Sequence, residues 1–99
     1  MQLGDIGTEF KYETSHIRVW DLILNPQQNS DWHRHESLYV FVVTRPGTLK
    51  TEYEDGSTST NQFVLGQVVQ GQKGALHRVT NIGDEIYSNS IVEIKENAV

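Results

Sequence analysis

The chain has 99 residues, of which 36% are hydrophobic and 9% aromatic, and this size and composition predict one compact domain over residues 1–99. Thirteen acidic residues against eight basic ones give a formal charge of −5, which argues against nucleic acid or an anionic membrane as a partner. There is no cysteine, no apolar run of about 18 residues and no basic leader, so we expect a cytoplasmic protein.

Short segments between proline and glycine residues predict strands in the first half of the chain. Residues 16–24 are rich in β-branched and large apolar side chains and end at Asn25-Pro26. A loop and the segment Asp31–His35 follow, and a continuous apolar run then covers residues 38–43. Because polar and apolar residues do not alternate in this run, we expect both of its faces to be covered, one by the interior and the other by an N-terminal strand or a second subunit.

The second half of the chain has the same character. Alternation over residues 48–54 predicts a strand with Leu49, Thr51 and Tyr53 inside, and Asp55-Gly56 predicts a hairpin turn after it. We interpret the polar segment Ser57–Thr60 as a solvated loop. Further strands are predicted over residues 61–65, 68–70, 76–81 and 87–94. No segment has an apolar stripe of helical period, so the expected fold class is all-β, a sandwich or small barrel.

Two histidines one residue apart, His33 and His35, are the first candidate functional residues. On a strand, the period of two turns both imidazoles toward one face, and His77 from a distant strand can complete a facial set of three nitrogen ligands. Imidazole suits first-row divalent metals, so we predict a site for one Fe, Ni, Zn, Mn or Cu ion. His16 has no partner at metal-ligand spacing and is expected at the surface.

The spacing around His77 resembles the second motif of a known family, the cupins, which reads G-x5-P-x-G-x2-H-x3-N. Gly66, Gly74, His77 and Asn81 stand at the family's positions, and Gln72 stands where proline is usual. The resemblance implies a jelly-roll-like β-barrel of two antiparallel sheets and supports His77 as a metal ligand.

The first cupin motif, G-x5-H-x-H-x(3 or 4)-E-x6-G, is matched only in part. Gln27 replaces its first glycine, and Tyr39 or Val40 falls on its glutamate, so the family's ligand carboxylate is missing. The matched positions are His33, His35 and Gly47. The two motifs span residues 27–81, and the chain looks most like small single-domain cupins of the cupin 2 conserved barrel type, grouped with a β-alanine degradation protein.

Three neutral ligands leave the full charge of a divalent metal uncompensated, so a small carboxylate or enolate should be drawn to the site. Three-histidine cupins include dioxygenases, and this resemblance implies a metal-dependent dioxygenase, with an isomerase as another catalytic option. Two alternatives stay open. One is a binding protein without turnover, and the other is a structural homodimer with a vestigial metal site, suggested by the apolar run 38–43.

Other polar residues near the motifs have weaker claims to a role at the metal. Tyr39 is a candidate for supplying a phenol beside the metal, and otherwise packs in the barrel. Asn81 is interpreted as a turn former, Glu36 as facing solvent or Arg34, and Arg78 as a solvated residue. Trp20 and Trp32 are expected to pack at the barrel wall and mouth, with pocket lining as the alternative, and Arg18 is a candidate for binding an anion. The residues left without an assigned face are Gln62, Gln67, Gln70 and Gln72.

Overall fold

The computed structural model describes residues 2–96 of the chain, and these residues form nine β-strands. The strands are β1 (Glu9–Glu13), β2 (Ile17–Leu24), β3 (His33–Arg34), β4 (Leu38–Arg45), β5 (Gly47–Tyr53), β6 (Thr58–Phe63), β7 (Val68–Gly71), β8 (Leu76–Asn81) and β9 (Tyr87–Ile94). The described residues contain no helix, so no helix long and apolar enough to cross a membrane occurs among them.

The strands form two sheets, and every pair is antiparallel. One sheet has the order β1-β2-β9-β4-β7, and the other has the order β3-β8-β5-β6. The core lies between them and is built by apolar side chains from both sheets: Ile6, Leu22, Leu24, Tyr39, Val43, Leu49, Tyr87 and Ile91. The predicted all-β fold of two antiparallel sheets is thus confirmed.

Most predicted strands agree with the structure to within one or two residues, and β8 and β9 agree at both ends. The interpretation of Ser57–Thr60 as a loop is wrong, because β6 begins at Thr58 and its backbone pairs with β5 up to Glu52. Its polar side chains are mostly exposed, so burial gives no alternating pattern to recognise. The predicted strand 61–65 correspondingly ends too late, since Leu65 lies beyond β6 and is 68% exposed.

The apolar strand β4 is covered on only one face by the described residues. Tyr39, Phe41 and Val43 line the interior, whereas Val42 points outward and is 38% exposed. The expected cover by an N-terminal strand is wrong, because β1 pairs edge to edge with β2 in the same sheet. The other option is that a second subunit covers this face. A single chain does not test it, so the homodimer stays a prediction.

Asn81 joins the end of β8 to the turn that follows it and to β2. The side chain is fully buried, and its Nδ2 group donates hydrogen bonds to the carbonyls of Leu24 (2.9 Å) and Glu85 (2.8 Å). Its Oδ1 atom accepts a hydrogen bond from the Gly83 N–H at 2.9 Å. The side chain satisfies backbone groups, as the turn-forming interpretation predicts.

We predict that Asn81→Ala lowers the free energy of unfolding by about 3 kcal/mol, because buried backbone groups lose their partners. Urea denaturation followed by circular dichroism measures this change. Asn29→Ala is the matched control, since Asn29 only accepts an exposed hydrogen bond from Thr80, and it should cost less than about 1 kcal/mol. Equal losses in the two variants would contradict the assigned role of Asn81.

Candidate metal centre

The three predicted histidines meet at one place between the two sheets. His33 on β3 is paired directly with His77 on β8, so the two side chains share the inner face of their sheet. His35 lies just after β3, where its N–H donates to the carbonyl of Ala75 and its own carbonyl accepts from the N–H of Gly74. These backbone bonds keep His35 beside the other two after regular pairing has ended.

The imidazole nitrogens are close enough to share one ion. The Nε2 atoms of His35 and His77 are 3.1 Å apart, and one candidate ligand nitrogen from each histidine lies within 4.8 Å of the others. Metal–imidazole bonds are about 2.0–2.1 Å long, so two nitrogens at right angles on one ion lie about 3 Å apart. The three imidazole nitrogens therefore form a donor set that suits a divalent transition metal.

Burial also puts the three rings in the protonation state that a metal requires. Loss of hydration lowers the pKa of His35 to about 3 and that of His77 to about 4, and it lowers the pKa of His33 as well. Repulsion from the neighbouring imidazoles adds to the lowering for His35 and His77. The rings are therefore neutral at pH 7, and each has a lone pair free for a metal.

Two different contacts orient the rings on the β3 side. The Nδ1–H of His33 donates to the carbonyl of Asp31 at 2.8 Å, which leaves Nε2 as its free lone pair. The Nδ1 atom of His35 is buried and has no hydrogen-bond partner within residues 2–96. Its ring instead stacks on Tyr39, with centroids 3.6 Å apart and planes 13° from parallel. The orientation of His35 therefore depends on an aromatic contact.

Tyr39 occupies one of the two positions that the cupin motif offers for its carboxylate, and Gly71 makes room for it. Gly71 pairs with Tyr39 across β4 and β7, and a Cβ atom at Gly71 would collide with the tyrosine ring. Burial raises the pKa of Tyr39 to about 12, so its hydroxyl is protonated at neutral pH. The residue touches His35 as a neutral ring that can donate one hydrogen bond.

A cavity of about 180 Å³ opens beside the histidines. Within the described part of the chain, no Asp, Glu, Lys or Arg lines it, and none of the four glutamines noted in the sequence does so. Its wall is mostly aliphatic and aromatic, and it comes from both sheets: Ile6, Leu22, His33, His35, Tyr39, Phe41, Leu49, Thr51, Tyr53, Asn61, Phe63, Val69, His77, Val79, Asn89 and Ile91. The inward facing predicted for residues 49, 51 and 53 is confirmed.

The remaining charged and aromatic candidates lie away from this cavity. Arg78 faces away from His77 as predicted, but it is half-buried rather than solvated, because it binds both carboxylate oxygens of Glu52 and lies over Trp32. Glu36 is exposed, and His16 is exposed at the start of β2. None of these residues reaches the three histidines.

Two polar residues of β9 were not singled out by the sequence. Asn89 is 3% exposed and lines the cavity, while Glu93 is 5% exposed and accepts a hydrogen bond from the Trp20 Nε1–H at 2.7 Å. The sequence marks Asn89 and Glu93 only as polar residues at inward positions of an otherwise apolar strand. That position becomes visible only once the pairing of β9 with β2 and β4 is known.

No family model matches the sequence, and no curated protein matches it. Solved structures do match. A cupin domain from Bordetella pertussis Tohama I aligns with a TM-score of 0.83 and 28% identity, over 97% of this chain and 98% of that one. An RmlC-like cupin with a double-stranded β-helix fold from Methanocaldococcus jannaschii aligns with a TM-score of 0.68 and 15% identity, over 92% of this chain and 93% of that one. A cupin-2 domain protein from Shewanella frigidimarina aligns with a TM-score of 0.60 and 19% identity, over 93% of this chain and 85% of that one.

The fold is therefore the double-stranded β-helix of the cupins. The resemblance of the motifs to small single-domain cupins is thus confirmed at the level of the fold. The narrower resemblance to the β-alanine degradation group stays a prediction, and so does the extent of the domain over residues 1–99.

We predict that Tyr39→Leu weakens Zn²⁺ binding about tenfold, because His35 loses the ring that orients it. Isothermal titration calorimetry of the metal-free protein measures the affinity. Tyr39→Phe is the matched control, since it keeps the stacked ring and removes only the hydroxyl, and its affinity should stay within about twofold of the wild type. A loss in Tyr39→Phe as large as in Tyr39→Leu would show that the hydroxyl, not the stack, supports the metal.

Proposed function

We propose that the chain binds one divalent transition metal through His33, His35 and His77, and that a small carboxylate or enolate completes the coordination. The observation that carries this proposal is the meeting of three neutral imidazoles, two of them buried and that of His77 half-buried, at the wall of a cavity. The metal belongs to the set of iron, nickel, zinc, manganese and copper, all of which accept imidazole ligands. When bound, it would supply a Lewis acid next to the cavity.

The charge balance of the site supports an anionic ligand. Three imidazoles contribute no negative charge, and no carboxylate of the described chain lines the cavity to offset the two positive charges of an ion. The mostly apolar wall screens these charges poorly, so an anion entering the cavity meets a strong attraction. A cation or a neutral ligand gains no such advantage.

The side chains that line the cavity also limit which reactions the site could catalyse. Apart from the histidines themselves, the titratable groups of the described cavity wall are the phenols of Tyr39 and Tyr53, and the pKa of Tyr39 is raised to about 12 by burial. An isomerisation by proton transfer uses a general base, and no Asp, Glu or Lys of the described chain lines the cavity. Among catalytic functions this favours a dioxygenase, while a binding protein without turnover is the alternative.

The net negative charge of the chain and the outer face of β4 support what we propose about its partners and its oligomeric state. A charge of −5 disfavours nucleic acid and anionic membranes as partners. The exposed Val42 and its exposed partner Val68 on β7 support a homodimer rather than a lone chain. A cytoplasmic location is part of the same proposal.

We predict that protein purified without a histidine tag and saturated with Zn²⁺ retains one metal ion per chain after dialysis. His77→Ala should retain less than about a tenth of that amount, since two imidazoles hold zinc far more weakly than three. Plasma mass spectrometry measures the content. His16→Ala is the matched control, because it removes the one histidine outside the cluster, and it should retain full loading. Full loading of His77→Ala would contradict the ligand assignment.

We further predict that metal loading raises the affinity of the protein for hexanoate at least tenfold, because the metal supplies the missing positive charge. Calorimetry compares zinc-loaded and metal-free protein. Oxygen uptake by the iron-loaded protein, measured with β-keto acids, thiols and short carboxylates, then separates a dioxygenase from a binding protein. Equal hexanoate affinity with and without metal would contradict anion capture at the metal.

A further inference from the structure

The size of the cavity limits what can bind beside the histidines. Its volume is about 180 Å³, and a cavity of roughly 150 Å³ in another protein accommodates benzene. A ligand of roughly six to nine non-hydrogen atoms therefore fills the space. Larger molecules would have to leave part of their structure outside the cavity.

The middle of the cavity is apolar. Phe41 and Ile91 face it from one sheet and Val79 faces it from the other, and these three side chains carry no hydrogen-bonding group. Thr51, the partner of Val79 on β5, supplies one hydroxyl at this level, and a polar group placed against the other side chains would lose its water without gaining a partner. The matching ligand therefore has a hydrocarbon body next to its metal-binding head.

Asn89 provides a polar group at a second place in the cavity wall. It is 3% exposed, and its Nδ2 group lies 2.7 Å from the hydroxyl of Tyr87, which is itself fully buried. The Oδ1 atom of Asn89 is buried and has no hydrogen-bond partner in the described protein. A buried amide that is only half satisfied is unfavourable, and a ligand that supplies the missing bond gains affinity from it.

Strand register separates Asn89 from the histidines. Tyr39, which stacks on His35, and Val43 are four residues apart along β4, about 13 Å of extended strand. Asn89 is the partner of Val43 on β9, so it belongs to the level of the barrel remote from His35. The cavity thus offers a metal-binding end, a largely apolar middle and, toward the other end, the buried amide of Asn89 together with the exposed amide of Asn61.

We infer that the ligand is a short-chain carboxylate with a hydroxyl group at the end remote from the carboxylate, and that Asn89 selects it by bonding to that hydroxyl. This inference rests on the proposed function, in which the carboxylate binds the metal. A hydroxyl both donates and accepts hydrogen bonds, so it satisfies the amide of Asn89 in either orientation of that amide. Asn89 is a specificity-determining residue and takes no part in holding the metal.

The test uses zinc-loaded protein and three pairs of probes: butanoate, pentanoate and hexanoate, each beside its ω-hydroxy derivative. Calorimetry gives the dissociation constant of each. We expect at least one hydroxylated probe to bind about tenfold more tightly than its parent, which corresponds to one added hydrogen bond. Equal affinities within all three pairs would overturn the inference, because they would mean that water satisfies Asn89 and no ligand hydroxyl is recognised.

Variants show whether Asn89 causes the preference. Asn89→Leu alone would leave the buried Tyr87 hydroxyl unpaired, so the informative variant is the double substitution Asn89→Leu with Tyr87→Phe. It should bind both members of a pair equally, whereas the control Tyr87→Phe should keep the preference. A preference that survives in the double variant would overturn the role of Asn89.

The failure of the proposed function has a different signature in the same experiment. If neither member of any pair binds to protein that holds one zinc ion per chain, anion capture at the metal is wrong, and the inference fails with it. If the parent acids bind and their hydroxylated forms bind no better, the proposed function stands and only the selection by Asn89 fails.

Discussion

Three imidazole rings share one small volume between two sheets, and their burial decides what the site can do. Removal from water lowers the pKa of all three rings, to about 3 for His35 and about 4 for His77, so none carries a charge at pH 7. Neutral rings can lie with Nε2 atoms 3.1 Å apart, whereas charged rings would repel one another and force the strands apart. The direct pairing of His33 with His77 brings β3 against β8, so the same register that closes the barrel builds the metal centre.

The contact that replaces the family's carboxylate changes the electrostatics of the centre. Tyr39 brings an uncharged ring against His35, and Gly71 leaves the space that this ring fills. A carboxylate at this place would cancel part of the charge of a bound metal. Tyr39 cancels none of it and still orients the neighbouring histidine. The site therefore keeps its attraction for an anion from outside the protein, and the apolar cavity strengthens that attraction.

The sequence predicts the fold and the histidine cluster well, because both follow from local patterns. Strands β8 and β9 lie between clear turns, and motif spacing places His33, His35 and His77 on one face. Strand β1 is not predicted, since all of Glu9–Glu13 is exposed and its strand character comes from pairing with β2. The chemistry of the cavity is not predicted either. It is set by side chains such as Asn89 and Phe63, which come from strands distant in sequence, and their inward facing depends on register that periodicity alone does not give.

X-ray absorption spectroscopy of the zinc-loaded protein tests the central claim most directly, because it counts the ligands of the metal and measures their distances. We expect three imidazole nitrogens at about 2.0–2.1 Å, with the remaining shell made of oxygen from solvent or an added carboxylate. Addition of hexanoate should change the oxygen shell and leave the three nitrogens in place. A shell with fewer than three imidazoles, or one containing a carboxylate of the protein in the absence of added acid, would contradict the assignment of His33, His35 and His77 as the protein ligands of the metal.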